Sequence, residues 1–398
     1  MEKKIDFVVL WVDGNDPEFI REKNKYTPYI EQIDNDEDNL HRYRDYGTFN
    51  YWFRMVERHA PWVNNIYLIT NGQRPKWLNV NHPKLKWVRH EEFIPEEYLP
   101  TFNSSAIEMN IHRIDGLSEN FVLFNDDMYL IQDVKYSDFF VNEKPKLLAV
   151  YEALVPWSSF SKIYFNDVLV LYRHFPNKKA LRQSPFKFFN IKYGQLMLKN
   201  ILLLPWKVTG YYNQHIPVPI KKSTLAHLWN LEEDVFIQTS KNKFRDYNTD
   251  INHYLLCYWQ IESNDFIPSS KDFGKSIPIT AIEELPKLLL KKRTKLLCVN
   301  DDMAMTEDDL KKLRVGVQAG SIQEEYVVNT LKMTTTKSLK AIPDLITELK
   351  NGNIDAVVTN EAVSLINVKK YDGIKMANTE VGKDVTEGMA AAIKKSDN

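Results

Sequence analysis

The tightest constraint on the fold is the run Ile5-Asp-Phe-Val-Val-Leu-Trp-Val12, almost continuously apolar and halted by Asp13-Gly14-Asn15-Asp16-Pro17. A strand with one wet face alternates apolar and polar residues. A run without alternation reads as a strand covered on both faces, as in a parallel sheet. The pattern then repeats. Tyr46–His59 carries apolar residues at helical spacing and stops at Pro61. Asn65–Thr70 is a second strand before Asn71-Gly72, and Lys86–Arg89 a short third. Ser104–Leu117 reads as a helix with Ser104 as a candidate N-cap, and Asn120–Phe124 as a further strand running into Asn125-Asp126-Asp127. Alternating strands and helices predict an α/β fold with a parallel-rich sheet core. Ligands of such sheets sit beyond the carboxyl ends of strands, which singles out Asp13, Asp126 and Asp127.

One composition class does not describe the whole chain. Of 398 residues, 49 are aromatic, yet Leu310–Asn398 holds only Tyr326 and Tyr371, and all nine Trp lie at or before Trp259. An even spread would put about 11 aromatics in that tail. A net charge of −1 with 43% hydrophobic residues excludes a disordered chain and a polybasic nucleic-acid binder. Cys257 and Cys298 are too few for a disulfide framework, which fits a reducing compartment. Met1-Glu-Lys-Lys leads too quickly into polar residues for a secretory leader. The longest apolar stretch, Leu196–Trp206, is interrupted by Lys199-Asn200 and falls short of the about 20 residues of a membrane span. It reads as a buried helix, or as a shallow membrane-interface patch with Trp206-Lys207 at its edge. The middle, about 135–286, is aromatic, basic and irregular. In the tail, Arg314–Gly320 and Asp355–Val358 read as strands, with helices over Ser321–Thr330 and Ser338–Lys350, a small α/β lobe.

Several residues have types and spacings that suit chemistry. Asp126-Asp127 at a strand end offers hard oxygen ligands to a divalent cation, although Asn and Asp also favour turns. Asp13 at the end of the first strand can meet a nucleotide or serve its Asp-Gly turn. Glu108 and His112, four apart on the expected helix, would share a face as an acid/base or orienting pair, with Arg113 adjacent. His215-Ile-Pro-Val-Pro219 places a histidine in what reads as a rigid extended segment, suited to a general base or to a satisfied structural role. Lys243-Phe-Arg245 and Asp250 follow, with Arg245 a candidate phosphate ligand or part of a solvated charged face. Walker, GxGxxG, HExxH and zinc-type Cys/His spacings are absent from the sequence.

Together these pieces resemble the Stealth family of hexose-1-phosphate transferases of capsule synthesis. The resemblance lies in Ile5–Pro17, in Arg42-Tyr-Arg-Asp45 and Ala60–Gln73, in Leu99–Glu108 and His112-Arg-Ile to Asn125-Asp-Asp-Met128, and in His215-Ile-Pro with Phe244-Arg245 and Asp250. Leu297-Cys-Val-Asn-Asp-Asp302 resembles a fourth block. The middle, from Phe165-Asn-Asp167 to Tyr258-Trp-Gln260, looks like streptococcal-type members. The resemblance implies a core that binds a nucleotide sugar, a UDP-hexose donor, a saccharide acceptor and Mg²⁺ or Mn²⁺. It implies attack by the acceptor hydroxyl on the β-phosphorus with loss of UMP. His215, Arg245 and Asp126 are the catalytic candidates. Asp13, Asp45, Asn103, Glu108, His112, Arg113 and Asp250 would shape the substrate site, and Asp126, Asp127 and Asp301 would hold the metal. A cytoplasmic enzyme, peripheral to the membrane or to a capsule assembly, is expected.

The tail resembles something else. Thr306-Glu-Asp-Asp-Leu to Glu325, Leu349–Val358 and Gly388–Lys395 look like one lobe of an amino-acid-binding protein of an ABC importer. The expected organisation is a transferase domain over 1–304 and this lobe over 305–398, joined somewhere within 285–306. Asn360 stands where such proteins carry an acidic residue for the ligand amine, and Ser321 is a candidate carboxylate contact, so no competent amino-acid site is expected. Three functional classes remain: the transferase, an amino-acid-binding component, and an inactive transferase scaffold.

Overall fold

In the computed structural model, the described residues are 4–14, 16–26, 43, 47–156, 158–300, 313–333, 335–371, 373–381 and 389–394. The chain divides into two compact units, one of residues 1–13 with 45–300 and the other of 14–44 with 301–398.

The first unit is α/β. Its main sheet contains β1 (Ile5–Leu10), β2 (Ile66–Thr70), β3 (Leu85–Arg89) and β4 (Asn120–Phe124), with β1 flanked by β2 and β4. These four are mutually parallel. β1, β2 and β4 are buried almost throughout, as their unbroken apolar runs require. The exception inside β1 is Asp6, fully buried, whose carboxylate accepts from Asn64 Nδ2 (2.7 Å), Asn65 N (3.0 Å) and Ser118 N (2.7 Å). Three donors offset the cost of taking that charge out of water, and they tie the starts of β2 and β4 to β1.

The helix α1 (Phe49–His59) lies on one face of the sheet. Its Trp52 packs edge-on against Phe124 at 5.4 Å between ring centroids, and Phe7 lies 4.9 Å from Phe124. Tyr46, the expected start of this helix, lies outside the described residues, and the helix begins at Phe49. The helix expected over Ser104–Leu117 is shorter: α2 (Ser104–Asn110) gives way to a tight turn at Ile111–Arg113. Its cap is Asn103 rather than Ser104, with Oδ1 accepting from Ser105 N at 3.0 Å.

After β4 the chain turns through Asn125–Asp127 into β5 (Met128–Leu130). The irregular middle resolves into short helices and small sheets, including α3 (Ser161–His174) and α4 (Met197–Leu202). The apolar stretch 196–206 is therefore only a short helix, and it is not the buried one expected: Leu198, Ile201, Leu202, Leu204 and Trp206 are all exposed. β6 (Val218–Lys221) returns to the main sheet as an antiparallel edge beside β4. The helix α5 (His253–Glu262) has every residue buried, which matches its apolar and aromatic character on all sides. β7 (Gly274–Pro278) and β8 (Leu296–Asn300) form a second sheet with β5, in the order β7-β8-β5.

In the second unit, β9 (Val315–Gln318) pairs in parallel with β10 (Thr336–Leu339) and with β11 (Ala356–Asn360). The helix α6 (Ile342–Lys350) begins four residues later than the Ser338 start read from sequence, because Thr336–Leu339 is a strand. α7 (Glu361–Lys370) follows β11, and β12 (Ile374–Val381) and β13 (Met389–Lys394) complete the sheet. Among the described residues, no helix is long and apolar enough to cross a membrane.

Phe124 joins the β4 end to the Phe7–Trp52 cluster. Phe124→Ala is expected to cost about 3–5 kcal/mol by opening a cavity there, read from denaturant unfolding.

Candidate functional site

The site is assembled by a register. β6 runs antiparallel to β4 with Val218 opposite Leu123 and Ile220 opposite Phe121. The ladder ends at the Val218–Leu123 pair, and the chain leading into β6 runs back toward the turn beyond β4. The side chains meet accordingly: His215 Nε2 lies 4.0 Å from Asp127 Oδ2. β8 approaches from the other side, with Cys298 opposite Met128 and Val299 N donating to Asp127 O at 3.0 Å. Cys298 Sγ donates to Asp127 Oδ2 at 3.2 Å.

His215 is not in the extended conformation its flanking prolines led us to expect. Its φ is +48°, in the left-handed region that few residues other than glycine adopt. Tyr254, at the first turn of α5, sets its hydroxyl 3.2 Å from His215 Nδ1. Ile216 packs against Gly274, where a Cβ would come within 2.7 Å of Ile216 Cδ1 and 3.0 Å of Leu296 Cβ; the glycine lets β7 approach this corner. Burial lowers the His215 pKa, Asp127 raises it, His253 lowers it, and Glu108 and Arg245 act more weakly in opposite senses. The balance keeps the imidazole neutral near pH 7, the form able to take a proton.

Glu108 does not pair with His112. The turn after Asn110 rotates His112 off that face, and Glu108 Oε2 instead meets His253 Nδ1 at 2.9 Å and accepts from His253 N at 3.1 Å. The carboxylate thus also sits at the N-terminus of α5, where negative charge is favoured. His112 lies 5.7 Å from the Trp229 ring, its pKa pushed down to about 4 by burial and by Arg113. Arg113 lies over the same indole at 4.5 Å. Asn103 and Asp250 form a buried knot. Asp250 accepts from Asn103 Nδ2 (2.7 Å), Asn242 Nδ2 (2.6 Å) and Asp246 N (3.0 Å). This knot fixes the loop that carries Arg245, whose Nη2 donates to Ser104 Oγ at 2.7 Å. Asp13 lies just past β1, its backbone clamped by Gln73 through bonds of 2.8 Å to its N and 2.9 Å to its O. Asp126 is in the turn beyond β4, next to Asp127, and β1 and β4 are adjacent strands. Asp45 and Asp301 lie outside the described residues.

Sequence reasoning did not select Tyr254, His253 or Cys298 as site residues. The signal for His253 and Tyr254 was their place three and four residues after Asp250. For Cys298 it was the Cys-Val-Asn-Asp run.

Beside His215 lies a cavity of about 860 Å³, walled by Lys271, Lys275, Lys291, Lys292 and Arg293, with Asp272 as its one acidic lining residue. Lys271 is paired with Asp272, and Lys275 with Glu284. The rest of that positive potential is available to an anionic ligand.

As for a metal, the donor atoms of Asp127, His215 and Cys298 lie within 4.8 Å of one another. Burial and the Asp127 charge hold the Cys298 thiol well above its ordinary pKa. Asp127, with Asp126 beside it in the turn, offers carboxylate oxygen of the kind that hard divalent cations take, and His215 offers an imidazole nitrogen.

Residues 3–30 match conserved region 1 of Stealth proteins and residues 42–147 match conserved region 2. The capsular polysaccharide phosphotransferase CpsJ of Streptococcus thermophilus is 94% identical over 240 residues, 60% of this chain and 98% of that protein. The capsular polysaccharide phosphotransferase WcwK of Streptococcus pneumoniae is 47% identical over 308 residues, 76% of this chain and 91% of that protein. The exopolysaccharide phosphotransferase cps2G of Lactiplantibacillus plantarum is 40% identical over 315 residues, 78% and 92% respectively. The chain belongs to the Stealth family. Its kinship is with transferases of the phosphotransferase kind in capsular and exopolysaccharide synthesis. Conserved region 1 supplies β1 and Asp13 of this Stealth protein. Conserved region 2 supplies β2–β5, Asn103, Glu108 and the Asp126-Asp127 turn. His215, Tyr254 and Arg245 lie beyond both.

In the second unit, Ser321 Oγ donates to Gln318 O (2.7 Å) and accepts from Glu324 N (3.1 Å), and Asn360 Oδ1 accepts from Val363 N (2.8 Å). Both side chains are engaged in helix caps.

Burial raises the Asp250 pKa to about 7, against its three donors. A carboxyl raised in the fold contributes stability in full below its unfolded value of about 3.9, and loses it as pH rises toward about 7. Asp250→Asn turns an amide NH₂ toward groups that donate and is expected to cost about 1–3 kcal/mol. Because the variant lacks the titration, its melting-temperature gap to the parent should narrow as pH rises from about 5 to about 7.

Proposed function

We propose that this Stealth protein transfers a hexose 1-phosphate, GlcNAc- or GalNAc-1-phosphate, from a UDP-sugar to a hydroxyl of an acceptor saccharide. The acceptor oxygen bonds to the β-phosphorus, the bond from that phosphorus to the bridging oxygen breaks, UMP leaves, and a sugar–phosphate–sugar diester forms. The observation that carries the reading is the β4–β6 register. It sets a neutral imidazole at the carboxylate turn of a parallel sheet, at the mouth of a cation-walled cavity. Kinship with capsular phosphotransferases supports the same class of reaction.

In this reading His215 takes the acceptor proton at Nε2. That requires Nδ1–H to donate to the Tyr254 oxygen, so Tyr254 fixes the tautomer, and Asp127 stabilises the imidazolium that forms. Phosphoryl transfer needs placement and charge stabilisation more than covalent help. Arg245, held by Ser104, and the cavity cations would meet the diphosphate charge. Asp13, at the end of the neighbouring strand, would contact the nucleotide, as ligands of open parallel sheets do. Asp126 and Asp127 would hold Mg²⁺ or Mn²⁺, which would supply charge neutralisation at phosphate oxygens.

Incubation with UDP-GlcNAc or UDP-GalNAc, Mg²⁺ and a capsule-type saccharide should release UMP, followed by nucleotide chromatography. UDP as the released nucleotide would mean attack at the sugar carbon and end this reading. His215→Ala is expected to lower kcat by about 10²–10⁴-fold with the fold intact. Chelation of divalent cations should abolish turnover and restoration of Mg²⁺ recover it.

A further inference from the structure

The segment Phe175–Thr209 contains seven Lys and Arg and not one Asp or Glu. Within it, large apolar side chains stand in solvent: Phe186 is 85% exposed, Ile191 92%, Leu198 54%, Leu202 70% and Trp206 59%, with Ile201, Leu204 and Val208 close behind. Eight of the twenty exposed large apolar residues among the described ones fall in these 23 positions, 186–208. Scattered singly, exposed apolar side chains need no explanation; this density does.

The patch is built rather than frayed. Asn200, at the centre of α4, is fully buried and donates to Ala149 O (2.9 Å) and Phe188 O (2.8 Å), while its Oδ1 accepts from Tyr151 N (2.7 Å). Lys178 is buried and donates to the carbonyls of Leu203 and Trp206, holding the end of the patch. Lys179, Arg182, Lys192 and Lys207 are exposed among the apolar side chains. Leu196, from the same segment, lines the cavity at His215 together with Lys291, Lys292 and Arg293, and Leu290 beside them is 83% exposed. The cavity wall and the patch are thus continuous.

We propose that this face docks the protein on an anionic lipid surface. The apolar side chains would enter the acyl boundary, Trp206 would sit at headgroup level, and the cations would meet lipid phosphates. A second copy of this chain fits poorly, because a self-complementary interface would set the exposed cations of this segment against one another, and the acid beside them, Glu152, is already paired with Lys199. An acceptor held at that surface would reach His215 without leaving it.

The test is vesicle flotation of the full chain, which needs no turnover and so stands or falls apart from the proposed reaction. Neutral phosphatidylcholine vesicles are compared with vesicles carrying about 30% phosphatidylglycerol. Binding is expected to the anionic vesicles, weakening as salt rises from about 0.1 to about 0.5 M. The double variant Ile191→Glu/Leu202→Glu changes only exposed side chains outside the catalytic machinery. It should bind about tenfold or more weakly while keeping its melting temperature and its turnover of soluble substrates. Equal binding to neutral vesicles, binding unaffected by the double variant, or no binding would overturn the proposal. So would a dimer in sedimentation that the variant dissociates, since the face would then belong to a second copy.

Discussion

Everything chemical in this molecule hangs on the pairing of β4 with β6. β4 is locked into the parallel sheet by β1 on one side, and its last residue leads into the acidic turn. β6 joins it head to tail, so the residues preceding β6 are carried to the end where β4 stops. Side chains alternate along a strand, so a slip of one residue would turn every β6 side chain to the other face and take His215 away from Asp127. Sheet registers are strongly specified where a face is buried, and Ile220 of β6, like Phe121 and Leu123 of β4, is buried in the core. The precision of the site is therefore inherited from ordinary apolar packing.

A second brace comes from α5. A helix buried on every side carries no amphipathic signature and must satisfy its polar groups internally. It does so at its N-terminus: Asn252 caps it, Asp167 accepts from Asn252 N at 3.0 Å, and Glu108 accepts from His253. The same turn presents the Tyr254 hydroxyl to His215. At the far end, Glu262 accepts from Tyr151 (2.9 Å) and Tyr211 (2.5 Å). Removing one partner of such a buried carboxylate costs more than the pair itself contributes, so these contacts act as constraints on position. The left-handed backbone at His215 persists because strands and α5 fix it from both sides.

What could be read from the sequence was what depends on local pattern. β1, β2 and β4 announce themselves through apolar runs ended by Asp, Asn and Gly, and their boundaries fall within two residues of those read. Asp126-Asp127 was legible as a candidate because it sits at such an end. Errors arose where distant partners decide. A Ser in front of a helix looks like its cap, but Asn103 wins because its amide also reaches Asp250 and the loop beyond. Helical spacing pairs Glu108 with His112, yet α2 stops at Asn110 and the buried carboxylate finds His253, 145 residues away. The stretch 196–206 is apolar enough to look buried. Composition says nothing of which face the rest of the protein covers. Tyr254 and Cys298 join His215 and Asp127 only through tertiary contacts, a helix N-terminus for the one and a strand register for the other.

Charge gives a last step. A chain of net charge −1 has no bulk field to gather anionic ligands. Here the charges are sorted by place instead. Acid collects at the β4 turn, cation at the cavity wall and across 175–209, and the two meet at His215. A ligand carrying a diphosphate gains from the cations only when its negative oxygens lie in the cavity, because at about 10 Å the interaction is already screened at physiological salt. The acidic turn repels the same oxygens unless a divalent cation lies between. Selectivity would then rest on one orientation of donor rather than on overall attraction, with the carboxylates of the turn penalising every other pose.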